Sequence, residues 1–155
     1  IYLKLGQYQE ALHDLDKSIE LDNQEPISFL NRGNVYQSLE EYEKAILDYD
    51  MAIQLSPNNT EAFCNRGNTY RKLKQYDDAF SLLKDAIEIS KDSSAAIILK
   101  GRVYREQQKY DDAFKQFDLV LDKDKGNFDA LYNKANLLQQ IQLIKVRLGD
   151  TKAAL

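Results

Sequence analysis

Apolar and polar positions alternate along this chain with a helical period, interrupted at regular intervals by short polar turns. From Phe29 to Leu39 the apolar or small residues Phe29, Gly33, Tyr36 and Leu39 recur at steps of three and four, the spacing that lines one face of an α-helix. Tyr42, Ala45, Ile46, Tyr49, Ala52, Ile53 and Leu55 repeat that spacing after a polar turn around Glu40 and Glu41. Pro26 and Pro57 stand at helix boundaries, where a missing N–H is tolerated, and Asn58, Asn59 and Thr60 offer capping oxygens before the next helix. The pattern predicts helical hairpins, whose short connections make the paired helices antiparallel neighbours.

The hairpins repeat. Residues 29–59 align without a gap with residues 63–92 at an offset of 34, and the register continues forward to 131–141 and backward to Tyr2. Gly33, Gly67, Gly101 and Ala135 share one column, and Ala11, Ala45, Ala79 and Ala113 another. Tyr2, Tyr36, Tyr70 and Tyr104 form a third column and Tyr8, Tyr42, Tyr76 and Tyr110 a fourth, so eight of the ten tyrosines occupy two positions of the repeat. One hairpin cannot cover its own apolar face, so successive hairpins must stack into a continuous core. Gly33 against Ala45 is expected to let the paired backbones approach, with Tyr36 and Tyr42 packed alongside. Each buried ring is worth about 1.5–3 kcal/mol.

The 34-residue period, with Gly or Ala, Tyr, Tyr and Ala at fixed columns and Pro57 near a unit's end, resembles the tetratricopeptide repeat (TPR) family over essentially the whole chain. The resemblance implies an all-α, right-handed α-solenoid of stacked antiparallel helix-turn-helix hairpins forming a single array. Its expected parts are a partial repeat at 1–25, repeats at 26–59, 60–93 and 94–127, and a divergent C-terminal repeat at 128–155. Where the family often carries Leu, this chain has Arg32, Arg66, Lys100 and Lys134, expected to pack their stems and snorkel their charges outward. In the last repeat a helix is expected from about Asp129 to Leu148. The segment RLGDTKAAL then resembles a turn and second-helix start displaced by seven residues, with Leu148 and Ala154 in the Leu39 and Ala45 roles. The extra turns, carrying Ile141, Leu143, Ile144 and Val146, are read as a cap on the array, as a docking face for another chain, self-association included, or as the end of a truncated array that residues outside this sequence cover.

Composition removes most chemistry. A formal charge of -4 argues against a nucleic-acid binder working through a broad basic surface. One cysteine, Cys64, excludes an internal disulfide framework and multi-cysteine metal sites, and one histidine, His13, excludes His-paired zinc motifs. Cys64 has no histidine near it in the repeat register, and His13 falls on a helix surface beside Asp14. Asp77–Asp78 and Asp111–Asp112 fall at second-helix starts, where they complement the helix dipole. The isolated Gly33, Gly67 and Gly101 make no phosphate loop, and no apolar run is long enough to span a membrane. The reading is a non-enzyme without cofactor or metal. The chain begins at Ile1 with no signal-like segment and reads as a fragment; a single thiol fits a reducing compartment, the cytoplasm or alternatively the nucleus.

Recurring polar columns on the first helices point to binding. Asn31, Asn65 and Asn133 share one column, broken by Leu99; Asn34, Asn68 and Asn136 share another, three residues on, with Arg102 in the remaining place. Three residues along a helix keep both columns on nearly one face. An amide offers an acceptor and two donors, so it can engage both the C=O and the N–H of an extended peptide. The pattern resembles the asparagine ladder of the TPR array in O-GlcNAc transferase, and in TPR proteins the first helices line a concave face. The alternative is that these amides cap or bridge neighbouring helices. The lysine with which chaperone-binding TPR domains grip a C-terminal carboxylate is missing: Leu30, Cys64 and Tyr132 stand four residues before Asn34, Asn68 and Asn136, and Ala95 and Leu99 fill the places of the basic pair. Arg71, Lys72, Arg102 and Arg105, against Glu61 and Glu106, suggest an acidic segment on the partner. The resemblance therefore implies a protein-interaction module holding a peptide in the groove. An assembly scaffold using the edges and the long last helix, and a substrate-selecting region of a larger enzyme, are the rivals.

Overall fold

The computed structural model describes residues 2–153, with side chains from Gly6 to Arg147; Tyr2, Leu148 and Ala154 carry expectations that fall outside the described side chains. Every regular element among the described residues is an α-helix. The helices fall into two compact units that divide after Ser93. The first unit contains α1 (Tyr2–Leu21), α2 (Pro26–Ser38), α3 (Tyr42–Leu55), α4 (Thr60–Lys72) and α5 (Tyr76–Ile89), and the second α6 (Ser94–Glu106), α7 (Tyr110–Lys123) and α8 (Phe128–Ala153).

Local chemistry sets the boundaries. Glu25 caps α2 by accepting the Ile27 N–H at 3.2 Å, with Pro26 just inside the helix. Asn59 caps α4 through the Ala62 N–H, and Asn127 starts α8 through the Ala130 N–H, both at 3.1 Å. Each hairpin turns through one residue in the left-handed region, Glu40, Lys74 and Gln108, all at φ 61°. The N–H of the following residue then reaches back to the carbonyl of Tyr36, Tyr70 or Tyr104 at 2.9 Å and closes the helix end.

Within the first unit α2 packs on α3 and α4 on α5, α1 lies on α2, and α3 lies on α4; in the second, α6 pairs with α7 and both touch α8. The core consists of Phe29, Leu30, Tyr49 and the alanines of both hairpins in the first unit, and Ile98, Val103, Phe117, Val120 and Leu137 in the second. The glycine column serves a side chain of the facing helix rather than the alanine. A Cβ on Gly33 would stand 2.7 Å from the Tyr49 ring and one on Gly101 2.5 Å from Phe117, whereas Gly67 faces Leu83 at 3.2 Å. The described members of the two tyrosine columns are only half-buried, whereas the Tyr49 ring is wholly buried and takes the full value of a buried ring.

The basic column also departs from the snorkelling expectation. The Arg32 guanidinium forks onto Asp48 at 2.7 and 2.8 Å and reaches Asp16 on the preceding helix at 2.7 Å. Arg66 meets Asp50 at 2.8 Å and Lys134 meets Asp118 at 2.6 Å. Three of the four bases of the column, Arg32, Arg66 and Lys134, thus pair with a carboxylate sixteen residues earlier on the preceding helix. Lys84 occupies the acid's column in α5 and pairs instead with Glu88 on its own helix at 3.7 Å.

The last helix is longer than expected. It runs unbroken through the backbone of Leu148, Gly149 and Asp150 to Ala153, so the turn read in RLGDTKAAL is not formed. Gly149 alone is too weak a breaker to end a helix of otherwise good formers. The second-helix start expected at Ala154 lies outside the described residues.

Candidate functional site

In the first unit the predicted polar positions lie on α2 and α4. The Asn34 side-chain carbonyl accepts two hydrogen bonds, from the Tyr49 hydroxyl at 2.8 Å and from Asn65 Nδ2 at 2.9 Å. Gln37, one turn further along α2, donates to the Asn65 backbone carbonyl at 3.1 Å and to Thr69 Oγ1 at 2.6 Å. Sequence reasoning passed over Gln37 and the wholly buried Thr69; their signal is a polar pair 32 residues apart, one repeat less two positions. Asn68 Oδ1 accepts both Nε and Nη2 of Arg71, at 3.1 and 2.8 Å, and so fixes that guanidinium. Asn31 is exposed on the same helix as Asn34.

These amides bridge neighbouring helices and still keep polar atoms for a ligand. Asn34 spends its oxygen and retains its Nδ2 donors; Asn65 spends a donor and retains its Oδ1 acceptor. The buried side-chain polar atoms lacking a partner among the described residues are Arg66 Nε and Gln107 Oε1, and neither Asn34 Nδ2 nor Asn65 Oδ1 is among them. A donor and an acceptor, held in fixed orientation by a shared hydrogen bond, match the C=O and N–H that every extended peptide presents.

The second unit differs. Asn133, 2% exposed, accepts from Arg102 Nε at 3.0 Å and donates to the Asp129 carbonyl at 2.7 Å. Its amide is turned inward, and its role there is to hold Arg102. Arg105 on α6 and Asn136 on α8 are half-buried. The four bases read together divide between the units, Arg71 and Lys72 on α4 and Arg102 and Arg105 on α6.

Burial pushes the Cys64 thiol up to about 11, against a weaker opposing hydrogen bond from Ser93, so it is protonated at neutral pH. His13 is exposed on α1. The aspartate pairs sit in the first turns of α5 and α7. Among the described residues no cluster of metal-ligating side chains forms, and no helix is long and apolar enough to cross a membrane.

Repeated helical hairpins with a polar strip on the first helices define a helical-repeat protein. A TPR-repeat family model matches residues 1–40 and 33–74, and a tetratricopeptide-repeat model matches residues 60–93. The chain belongs to the tetratricopeptide repeat family. No curated protein matches it. Among solved structures it resembles a thermophilic TPR protein of Thermus thermophilus (TM-score 0.80, 20% identity, 88% of this chain and 76% of that one). It also resembles YrrB, a TPR protein described as having an unusual peptide-binding site (TM-score 0.65, 27% identity, 90% and 72%). A third likeness is to the first TPR of Spaghetti (RPAP3), solved bound to the HSP90 peptide SRMEEVD (TM-score 0.67, 26% identity, 78% and 96%).

Proposed function

We propose that this chain is a non-catalytic interaction module that binds an extended peptide segment of a protein partner along the exposed face of its first helices, the groove side of a TPR array. The observation that carries the reading is the Asn34–Asn65 pair, whose mutual hydrogen bond leaves the Asn34 Nδ2 donors and the Asn65 Oδ1 acceptor uncommitted. Asn31 and Asn68 extend the polar strip of the first unit; in the second, Asn136 offers a half-buried amide and Asn133 serves by positioning Arg102. Arg71, oriented by Asn68, favours acidic residues on the peptide at the first unit, and Arg102 and Arg105 favour them at the second. The affinity is modest, because ordering a flexible peptide opposes the gain on binding.

The relatives that hold peptides support this class of function without naming the ligand. A chaperone-type terminal carboxylate is disfavoured: Leu30 and Cys64, four residues before Asn34 and Asn68, are buried in the core. The lone buried thiol fits a reducing compartment such as the cytoplasm.

Probing an array of random extended peptides with the wild-type chain and with Asn34→Ala, Asn65→Ala and Asn68→Ala variants tests the reading. The expected result is about tenfold weaker capture by the first two variants, with helix content unchanged. Equal capture by all variants, at equal helix content, overturns it. Arg71→Ala, Arg102→Ala and Arg105→Ala should flatten the salt dependence; an unchanged slope removes the acidic-peptide part alone.

A further inference from the structure

Thr69 is the odd member of its column. Its mates in the repeat register are Val35, Val103 and Leu137, and the last two are wholly buried, as Thr69 is. Packing at this place is therefore met by an apolar side chain, and a hydroxyl there costs free energy unless it is bonded. The Thr69 hydroxyl is bonded twice. It donates to the Asn65 backbone carbonyl at 2.9 Å and accepts from Gln37 Nε2 at 2.6 Å. Gln37 Nε2 directs its other hydrogen to that same Asn65 carbonyl, at 3.1 Å.

Asn65 is consequently held twice from α2. Asn34 takes its side-chain amide at 2.9 Å, and Gln37, one helical turn further along, takes its main-chain carbonyl. A single hydrogen bond would let α4 pivot about it; a second, one turn away, removes that freedom. We infer that Gln37 is a positioning residue of the peptide site: seated on Thr69, it sets the distance and the angle at which the Asn65 acceptor stands from the Asn34 donors. The inference rests on the peptide reading above for its consequence in binding. A donor and an acceptor carried by two different helices fit the C=O and N–H of one ligand only while those helices keep their spacing. Gln37 thus acts on affinity through Asn65. The packing contribution of the column is separate from this role, because valine supplies it in α2 and α6.

Two variants separate positioning from packing. Thr69→Val installs the residue that Val35 and Val103 provide elsewhere and deletes the seat of Gln37. Gln37→Leu deletes the donor and leaves the Thr69 hydroxyl bonded to the Asn65 carbonyl. The nitrogen-15-labelled chain is read first without ligand. In both variants the Asn65 side-chain amide resonance should move toward its place in Asn34→Ala, where the amide has lost its acceptor, while helix content by circular dichroism stays unchanged. The chain is then titrated with the peptide captured most strongly from the random array. Gln37→Leu should bind about fivefold more weakly than wild type, and Thr69→Val about threefold. In an Asn65→Ala background Gln37→Leu should cost nothing further, since the group that it positions is absent; a merely loosened fold would weaken both backgrounds alike. Equal losses in the two backgrounds overturn the inference, and so does an Asn65 resonance that stays in place in both variants. If Asn65→Ala binds the peptide as wild type does, the peptide reading fails by itself, and the resonance still decides whether Gln37 positions Asn65.

Discussion

The edge of the Phe117 ring occupies the place where Gly101 would carry a methyl group, 2.5 Å from the ideal Cβ. Phe117 is wholly buried, so it has no free volume into which to withdraw. The same relationship joins Gly33 to Tyr49 at 2.7 Å, and Gly67 to Leu83 more loosely at 3.2 Å. Alanine at such a helical position gains about 1 kcal/mol of propensity, and overpacking costs about 1–3 kcal/mol. Gly101→Ala and Gly33→Ala should therefore destabilise their units by about 1 kcal/mol, and Gly67→Ala by about 0.5 kcal/mol at most. Urea titrations of the three variants check the order; equal effects would remove the ring contact as the reason for glycine.

The ion-pair column makes a second test. Asp48 is 5% exposed and depends on Arg32, which it shares with Asp16. Removing the base strands a buried carboxylate, so Arg32→Leu should cost about 2–3 kcal/mol, below the range for a fully buried pair because Asp16 is solvated. Leu82 fills the Asp48 column in the next hairpin and is buried there, so leucine fits that site. The Arg32→Leu, Asp48→Leu double variant should therefore return to within about 1 kcal/mol of wild type. A double variant as unstable as the sum of the singles would contradict this.

The hairpin turns hold their own prediction. Glu40, Lys74 and Gln108 adopt φ 61° without being glycine or asparagine. A left-handed conformation costs an ordinary residue about 1 kcal/mol, part of which glycine returns to the unfolded chain as entropy. Gln108→Gly should raise stability by about 0.5 kcal/mol, whereas Gln108→Val, β-branched, should lower it by more. Thermal unfolding of the pair decides: a glycine variant less stable than wild type contradicts the account of this turn.

Cys64 predicts alkaline behaviour. Its folded pKa is raised to about 11 by burial, above the ordinary thiol value of about 8.5, so the folded state holds a proton that the unfolded state gives up between those values. Stability from this group is complete below pH about 8 and is lost as pH rises toward 11. Cys64→Val should flatten the decline measured by urea unfolding between about pH 8.5 and about pH 10.5, inside the window that those pKa values define. Maleimide labelling of the native chain at neutral pH should be slow and should accelerate with denaturant. Fast native labelling would show the thiol to be accessible.

Much of this was legible in the residues. A period of 34 with helical spacing on both sides of each polar turn leads directly to hairpins, and the cap at Asn59 and the first-turn proline Pro26 fall where local chemistry places them. The turn residues gave no sign, because left-handed Glu, Lys and Gln look like any other polar position. The ion pairs are written in the sequence as an acid sixteen residues before Arg32, Arg66 and Lys134, but a spacing across two helices becomes informative only once their packing is known. The asparagines show the sharpest difference between composition and geometry. Asn34, Asn65 and Asn133 share a residue type, yet Tyr49 and the facing helix leave two of them half open, while the Arg102 contact draws the third inside.

The central claim is that the Asn34–Asn65 pair reads peptide backbone. Once a peptide has been selected from the array, its amides can be N-methylated one at a time and each version titrated by calorimetry against wild type and Asn65→Ala. The account predicts one amide whose methylation weakens wild-type binding about tenfold and leaves Asn65→Ala binding unaffected, since the acceptor is already gone. Methylation effects of equal size in both proteins at every position would contradict it.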